Sequence, residues 1–501
     1  MSRTSGKTVL SAFVVSWAFI FGATEAPAAN PAVNPDKSQA GVHFGADGFV
    51  RIDGTPRFVI GLYELPEDDA KLREIAQSGF NLVRVPQDAK VLDRVRDHGL
   101  YAWICLGGSV QLGRDDADGR HRLAGIINTF KEHPALLIWE LPDEALWNVW
   151  WRRFHWIFGG QQGELRAHIK KAQADAAPAT TARWRSLADR AGDYDVRGLW
   201  KQAETIYDTL WSELKATNPH PSWKMSQCPA ESRNLIAATS RGCEVVRRLD
   251  PKHPIWQNHA PRNGLDSLRQ YNKMVDAAGC DIYPVPFNHG VGHSDLKDTN
   301  LSAVAAYTDR MSRAAPGKAV WMVLQGFGWR DIRESDRDSL DPTRGRRPRY
   351  RETRFMAYDA IAHGANAILY WGTHAVEKDD ALWEDLMKVA RELRALEPAI
   401  VAPRPNAEPL TRADETYGSI DGTGPTLMLR KTGADWVLLA VNDHAQGISF
   451  SVTHLPPELE GKTLHRLYSQ ESHVVEKATL HDGIRGFGVH VYATSRRFEA
   501  R

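Results

Sequence analysis

Three carboxylates, Glu140, Asp143 and Glu144, stand within five residues of one another in IWELPDEALW, just past an apolar run. Like charges at that spacing cannot all ionise cheaply, so one held partly out of water keeps its proton near neutral pH. A carboxyl in that state is a general acid, and an ionised neighbour is a base or an electrostatic stabiliser. The plainer alternative is a group of solvated loop charges and a helix N-cap. Other chemically capable residues are Asp281 in CDIYPV, Arg84 in NLVRVP, Asn258 and His259 in PIWQNH, and Tyr63 and Glu64 in GLYELP. Tyr283, Gln325, Trp371 and His374 complete the set. Carboxylates and amides bind hydroxyls while aromatic faces cover the apolar side of a ring, so this mixture suits a polyhydroxylated ligand.

The elements that must position these residues repeat one unit. A short apolar run, a polar turn and a segment of helical spacing recur from residue 58 to residue 395. The runs are FVIGLY (58–63), NLVRVP (81–86), YAWICL (101–106), ALLIWE (135–140), PIWQNH (254–259), CDIYPV (280–285), AVWMVLQ (319–325) and NAILYW (366–371). Segments such as DDAKLREIAQSG and ETRFMAYDAIAHG lie between them and end on a glycine suited to a helix C-cap. Eight strand–helix units predict an α/β chain of the (β/α)8 TIM-barrel class, whose chemistry gathers at the C-terminal ends of the strands. Every candidate above falls at such an end. An open doubly wound sheet would also alternate, but no glycine-rich nucleotide loop follows the first strand.

GFVRIDGTPRFVIG ahead of the barrel reads as a hairpin turning at Asp53-Gly54, placed to cap the barrel floor. After Leu396, PRPNAEP reads as a linker, and the short alternating runs TLMLRK, WVLLAVN and FGVHVYA predict a C-terminal β-sandwich of about 100 residues. A long insertion, about 146–232, separates strand four from its helix and holds eight of the seventeen tryptophans. It is expected to overhang the catalytic face. Most of these tryptophans are expected to pack the insertion's own core, with one or two left as a platform for a sugar ring. The expected divisions are 1–29 as an export signal, 30–57 as an N-terminal extension and hairpin, 58–398 as the barrel, and 399–501 as the sandwich.

The export signal rests on Arg3 and Lys7, the apolar stretch Val9 to Phe21, and Ala26-Pro27-Ala28 as a cleavage site. The apolar stretch is too short to span a bilayer and no second run approaches ~20 residues, so a periplasmic or extracellular chain is expected, without stable membrane insertion. With 63 basic and 62 acidic side chains there is no field to attract nucleic acid or an anionic membrane. Four cysteines, Cys105, Cys228, Cys243 and Cys280, form no CxxC pair, and no cofactor is expected. Cys228 with Cys243 is the first disulfide to test, against four buried thiols.

FNLVRVP, HPALLIWELPDEALW, AGCDIYPVP and GANAILYWG, in this order and spacing, resemble the strand-two, -four, -six and -eight segments of clan A glycoside hydrolases. The likeness spans nearly all of residues 48 to 495. It implies a (β/α)8 barrel with a C-terminal β-sandwich, a carbohydrate substrate, and an acid/base glutamate after strand four. Aligning PDEA with that family's signature puts Glu144 in the acid/base position, with Asp143 as its neighbour and Glu140 at the strand end. Arg84 is the arginine of the strand-two segment.

The departure is at strand seven. A retaining clan A enzyme carries a nucleophilic glutamate there, whereas WMVLQGFGW offers Gln325, and an amide cannot form the glycosyl ester. Three accounts remain, in order of preference. Asp281 serves as the second carboxylate, nucleophile or base according to its distance from Glu144. Asp143 orients a substrate 2-acetamido group that attacks the anomeric carbon. Or the barrel binds sugars without cleaving them. Asp281 also has a purely structural alternative, a buried carboxylate bonded to Arg84 or His259. Arg84, Tyr63, Asn258, His259, Tyr283, Gln325 and Trp371 are the expected substrate-binding residues. Two rivals use the same barrel. A metal-dependent amidohydrolase is suggested by His259, His289, His293 and His374 but lacks His-x-His at strand one, and a lyase would give an unsaturated product.

Overall fold

The computed structural model describes residues 41–286, 300–414 and 422–500. Eight parallel strands close into a barrel: Val59–Leu62, Leu82–Val85, Tyr101–Cys105, Leu136–Glu140, Ile255–His259, Ala277–Ile282, Ala319–Gln325 and Ala367–Trp371. Each pairs with the next, and the eighth with the first. The eight apolar runs of the sequence all become barrel strands. They read as continuous apolar runs because a parallel strand is covered on both faces, by the barrel interior and by a helix. Trp103, Trp256 and Trp321 fill the interior, all fully buried, with ring centroids 6.4 Å and 5.6 Å apart in sequence. Gly279 is required where strand six meets strand seven, since a β-carbon there would lie 1.4 Å from the Trp321 carbonyl oxygen.

Local chemistry sets the helix ends. Asp68, Asp88 and Asp380 each accept a backbone N–H of the first turn that would otherwise be orphaned. Gly79, at φ 106°, closes the first barrel helix in the left-handed conformation. The N-terminal hairpin pairs Val50–Ile52 with Thr55–Arg57 around Asp53 (φ 49°) and Gly54 (φ 79°). A further strand, Val42–Phe44, adds to it and sets Phe44 edge-on to Trp321 at 5.9 Å, on the barrel floor.

After strand four the chain makes helices Ala145–His155, Gln162–Ala172, Pro178–Val196 and Trp200–Glu213 before the barrel's own helix, Cys228–Leu249. The inserted helices bury Trp156, Trp184 and Trp211 with Leu210 and Tyr207 in a core of their own, and Trp150, Trp200 and Trp223 pack against it. Trp147 and Trp151 stand apart from that core.

The C-terminal region is two antiparallel sheets. One has three strands, Leu410–Ala413, Ile448–Thr453 and Leu480–Ile484. The other has five: Thr426–Thr432, Asp435–Val441, Val489–Ala493, Thr463–Arg466 and Ser472–Val474. Leu438, Phe450, Val452, Leu464 and Tyr492 form the core between them.

All four cysteines are free thiols. Cys228 and Cys243 lie on one helix, which corrects the expected pairing: fifteen residues of helix separate them by about 22 Å, far beyond disulfide reach. Among the described residues, no helix is long and apolar enough to cross a membrane.

Candidate active site

Glu140 ends strand four and is fully buried. Arg84, half-buried in strand two, meets it with Nε 3.0 Å from Oε2. Inward residues of alternate strands share a layer in this barrel, which is why strand two reaches strand four. The carboxylate that Arg84 meets is thus Glu140, and not Asp281 as in the structural alternative for that residue. Burial pushes the Glu140 carboxyl up to about 7 and the nearby Asp143 charge adds to the rise, while Arg84 opposes both. Tyr63 lies beneath the Arg84 guanidinium, 5.5 Å from ring centroid to Cζ, and packs edge-on against Trp103.

The loop that follows holds Asp143 and Glu144 against strand five. The Glu144 amide donates to the Asn258 carbonyl at 3.1 Å, and Gln257 Nε2 donates to the Pro142 carbonyl at 3.0 Å and to that of Asn258. Gln257 escaped the sequence reading; its signal was a polar residue inside a strand buried on both faces. Asn258 Nδ2 donates to Asp143 Oδ1 at 2.9 Å and lies 3.4 Å from Asp281 Oδ1, so one amide ties two carboxyls together. Glu144 is hydrogen-bonded to Asp281, and the Tyr283 hydroxyl also bonds Asp281.

Glu144 occupies the left-handed region at φ 48°, ψ 32°, as the N-cap of helix Ala145–His155. A non-glycine residue there costs about 1 kcal/mol, a strain that the surrounding bonds must hold in place. Burial raises the Glu144 carboxyl to about 7, the Asp143 charge raises it further, and the bond to Asp281 opposes the rise. Asp281, buried and facing both carboxyls, is held well above the ordinary carboxylate range. Asp143 is raised too, by burial, against the opposing pull of Asn258 and Arg84. The pair Glu144–Asp281 thus retains a proton at neutral pH, and Asp143 is the carboxyl best supported in its ionised form. Hydrogen-bonded carboxyls are closer than either the about 5–5.5 Å of retaining or the about 6.5–9.5 Å of inverting glycosidases.

Aromatic groups wall this cluster. Tyr283 and Trp371 stack at 5.5 Å and 21°, with Phe327 edge-on to both. Trp147 and Trp151, at i and i+4 on the helix that Glu144 caps, lie 5.5 Å apart, and Trp151 is exposed. Arg262 covers Trp147 at 5.3 Å.

Two expected binding residues turn to other work. His259 Nε2 bonds Asn272 Oδ1 at 2.8 Å, and burial depresses the imidazole to about 4, so it is a neutral core group facing the outer helix. Gln325 is fully buried; its Oε1 accepts from the Val285 amide at 2.8 Å, and its Nε2 donates to the carbonyls of Val285 and Phe327 at 2.7 Å and 3.0 Å. It braces the segment after strand six, and neither amide hydrogen is left for a substrate hydroxyl. Gln325→Glu is accordingly expected to lower stability by about 3 kcal/mol or more in denaturant unfolding, since a carboxylate would face two carbonyl oxygens. No gain of glycosidase activity should accompany it. Glu64 pairs with Lys378 at 2.7 Å, and His374 is exposed beside Trp371. His289 and His293 lie outside the described residues.

No protein-family model matches the chain, and no curated protein matches it in sequence. Among solved structures, a glycoside hydrolase family 5 protein from Bacteroides vulgatus superposes with a TM-score of 0.50 at 11% identity, over 90% of this chain and 93% of that one. A beta-galactosidase from Bacillus circulans sp. alkalophilus gives a TM-score of 0.48 at 10% identity, over 88% of this chain and 99% of that one. At 11% identity the likeness to the family 5 protein is one of architecture, which in this chain is a TIM barrel followed by a C-terminal domain of antiparallel sheets.

Proposed function

We propose that this chain is an exported glycoside hydrolase that cleaves O-glycosidic bonds of an oligo- or polysaccharide, with Glu144 as general acid. The observation that carries this reading is the hydrogen-bonded Glu144–Asp281 pair at the strand ends, raised by burial so that a proton is held there near neutral pH. The Tyr283–Trp371 stack supports it as a surface for a sugar ring, and the family 5 glycoside hydrolase shares the architecture. Export rests on the basic, apolar and small-residue pattern of the first thirty residues.

Contact between Glu144 and Asp281 disfavours Asp281 as a separate nucleophile and favours Asp143 in an orienting role. Asp143 is pinned by Asn258 and lies near Tyr63, whose buried hydroxyl has no hydrogen-bond partner. A carboxylate and a phenol placed together match the N–H and carbonyl of a substrate 2-acetamido group. In this reading Glu144 gives its proton to the leaving oxygen as the C1–O bond breaks, and the acetamido oxygen closes on C1 while Asp143 holds the N–H. Water then opens the ring and returns its proton to Glu144. Burial and the Asp143 charge favour the proton on Glu144 between turnovers, and the bond to Asp281 holds the side chain in place.

Aryl glycosides and oligosaccharides with and without a 2-acetamido group test this directly. The 2-acetamido substrates are expected to react at least about 100-fold faster in kcat/KM, a difference of about 2.7 kcal/mol in transition-state binding. Preference for 2-hydroxy sugars would remove the role given to Asp143. No cleavage across the panel, with sugars still bound, would leave a carbohydrate-binding barrel.

A further inference from the structure

On the opposite side of strand seven's helix, where the barrel meets the sandwich, three ligand-type side chains converge. Asp359 and His363 lie at i and i+4 on the helix Tyr350–Ala362 and its C-cap, so they share one face. Asp443 follows the sandwich strand Asp435–Val441. Each offers a ligand atom within 4.8 Å of the others.

The hydrogen bonds around them leave particular atoms over. Asp359 is fully buried; its Oδ2 accepts from the Ala305 amide at 2.9 Å, while its Oδ1 has neither a hydrogen-bond partner nor contact with solvent. Asp443 Oδ2 accepts from Thr426 Oγ1 at 2.8 Å, and its Oδ1 is likewise buried and without a partner. The two carboxyls lie within hydrogen-bonding reach of each other, and either one shared proton or one cation between them satisfies both. His363 Nδ1 is 3.1 Å from Asp309 Oδ1, which aims its Nε2 toward Asp443 Oδ2 at 3.3 Å. A carboxylate behind the remote ring nitrogen is the usual support of a metal-binding histidine. Among the described residues no lysine or arginine pairs with Asp359 or Asp443. The similar trio Glu471, His473 and Asp482 differs in this respect, because Arg466 pairs with both of its carboxylates.

We propose that Asp359, His363 and Asp443 bind one divalent transition cation, zinc by preference, which clamps the seventh barrel helix to the C-terminal sandwich. Two carboxylate oxygens and one imidazole nitrogen are a zinc-type donor set; the nitrogen argues against calcium. The site is structural and independent of the chemistry at the strand ends.

The full-length chain, purified through a tag without histidines, is expected to retain about one equivalent of zinc after dialysis. Its Tm should rise by about 3 °C when free zinc is raised to about 100 times Kd, and fall on chelation. Asp443→Asn and His363→Gln should each lose the bound zinc and the Tm response. Copper(II) loaded into the apo wild type should show coupling to one imidazole nitrogen in its electron-spin-echo spectrum, a readout that needs no variant to fold. The site is overturned by a wild type that binds no stoichiometric zinc and whose Tm ignores zinc and manganese, the result expected if the two carboxyls merely share a proton. Zinc retained in full by a folded Asp443→Asn, or a copper spectrum without histidine nitrogen, overturns it equally.

Discussion

Glu144→Gln is expected to lower kcat by about 10²–10⁴-fold while the protein folds normally, because glutamine keeps the shape of the side chain and removes the proton to be donated. In the wild type, kcat/KM should fall as pH rises through about 7, the value to which burial lifts Glu144. That alkaline limb should vanish with the variant, leaving a low, flat rate. Stability should move the other way. A carboxyl whose folded pKa is raised contributes stability that is complete below its unfolded value and is lost as pH rises through the folded one. Between about pH 4.5 and 7 the wild type therefore loses stability at this position and the glutamine variant does not. Allowing for the partial exposure of Glu144, the variant should be more stable than wild type by about 1–2 kcal/mol at pH 8 and by little at pH 5. Urea unfolding at the two pH values would measure the difference. A variant that hydrolyses substrate at the wild-type rate would take the acid role away from residue 144.

How far the sequence foretold this site depends on what kind of signal each residue gave. Strands covered on both faces leave unbroken apolar runs, so all eight were legible, although strand six starts at Ala277 because AAG carries too little apolar bulk to announce itself. Val42–Phe44 was missed since three residues are too few to show alternation. Among site residues, position at a strand end was legible and direction was not. Asn258 points to the carboxyls while His259, one residue on, points to the outer helix, as the two-residue period of a strand requires. Gln325 was recognised as a non-carboxylate, but its bonds to Val285 and Phe327 depend on how the chain returns after strand six, and nothing local encodes that. The Arg84–Glu140 pair is a property of barrel layering. The left-handed backbone at Glu144 left no mark either, since the position carries no glycine; strain held in place by tertiary contacts is invisible to local propensity.

The same layering makes Arg84→Met the substitution with the largest expected effect on stability. Glu140 is fully buried and Arg84 is its ion-pair partner, so removing the cation leaves an uncompensated carboxylate in the barrel, at a cost of about 3–5 kcal/mol. The protein has one route of escape: Glu140, already near 7 with Arg84 present, can take up a proton. Without the arginine its folded pKa rises further. The raised-carboxyl rule then applies with greater force, and the deficit relative to wild type should be small at pH 5, where Glu140 is protonated in both proteins, and should widen steadily to pH 8. Adding Glu140→Gln to Arg84→Met removes the charge that needed a partner. The double variant is therefore expected to recover most of the lost stability at pH 8 and to lose the pH dependence, which guanidinium unfolding across that range would reveal. Recovery in the double variant would assign the loss to the stranded charge; equal loss in both would assign it to the packing of the Arg84 stem against Tyr63.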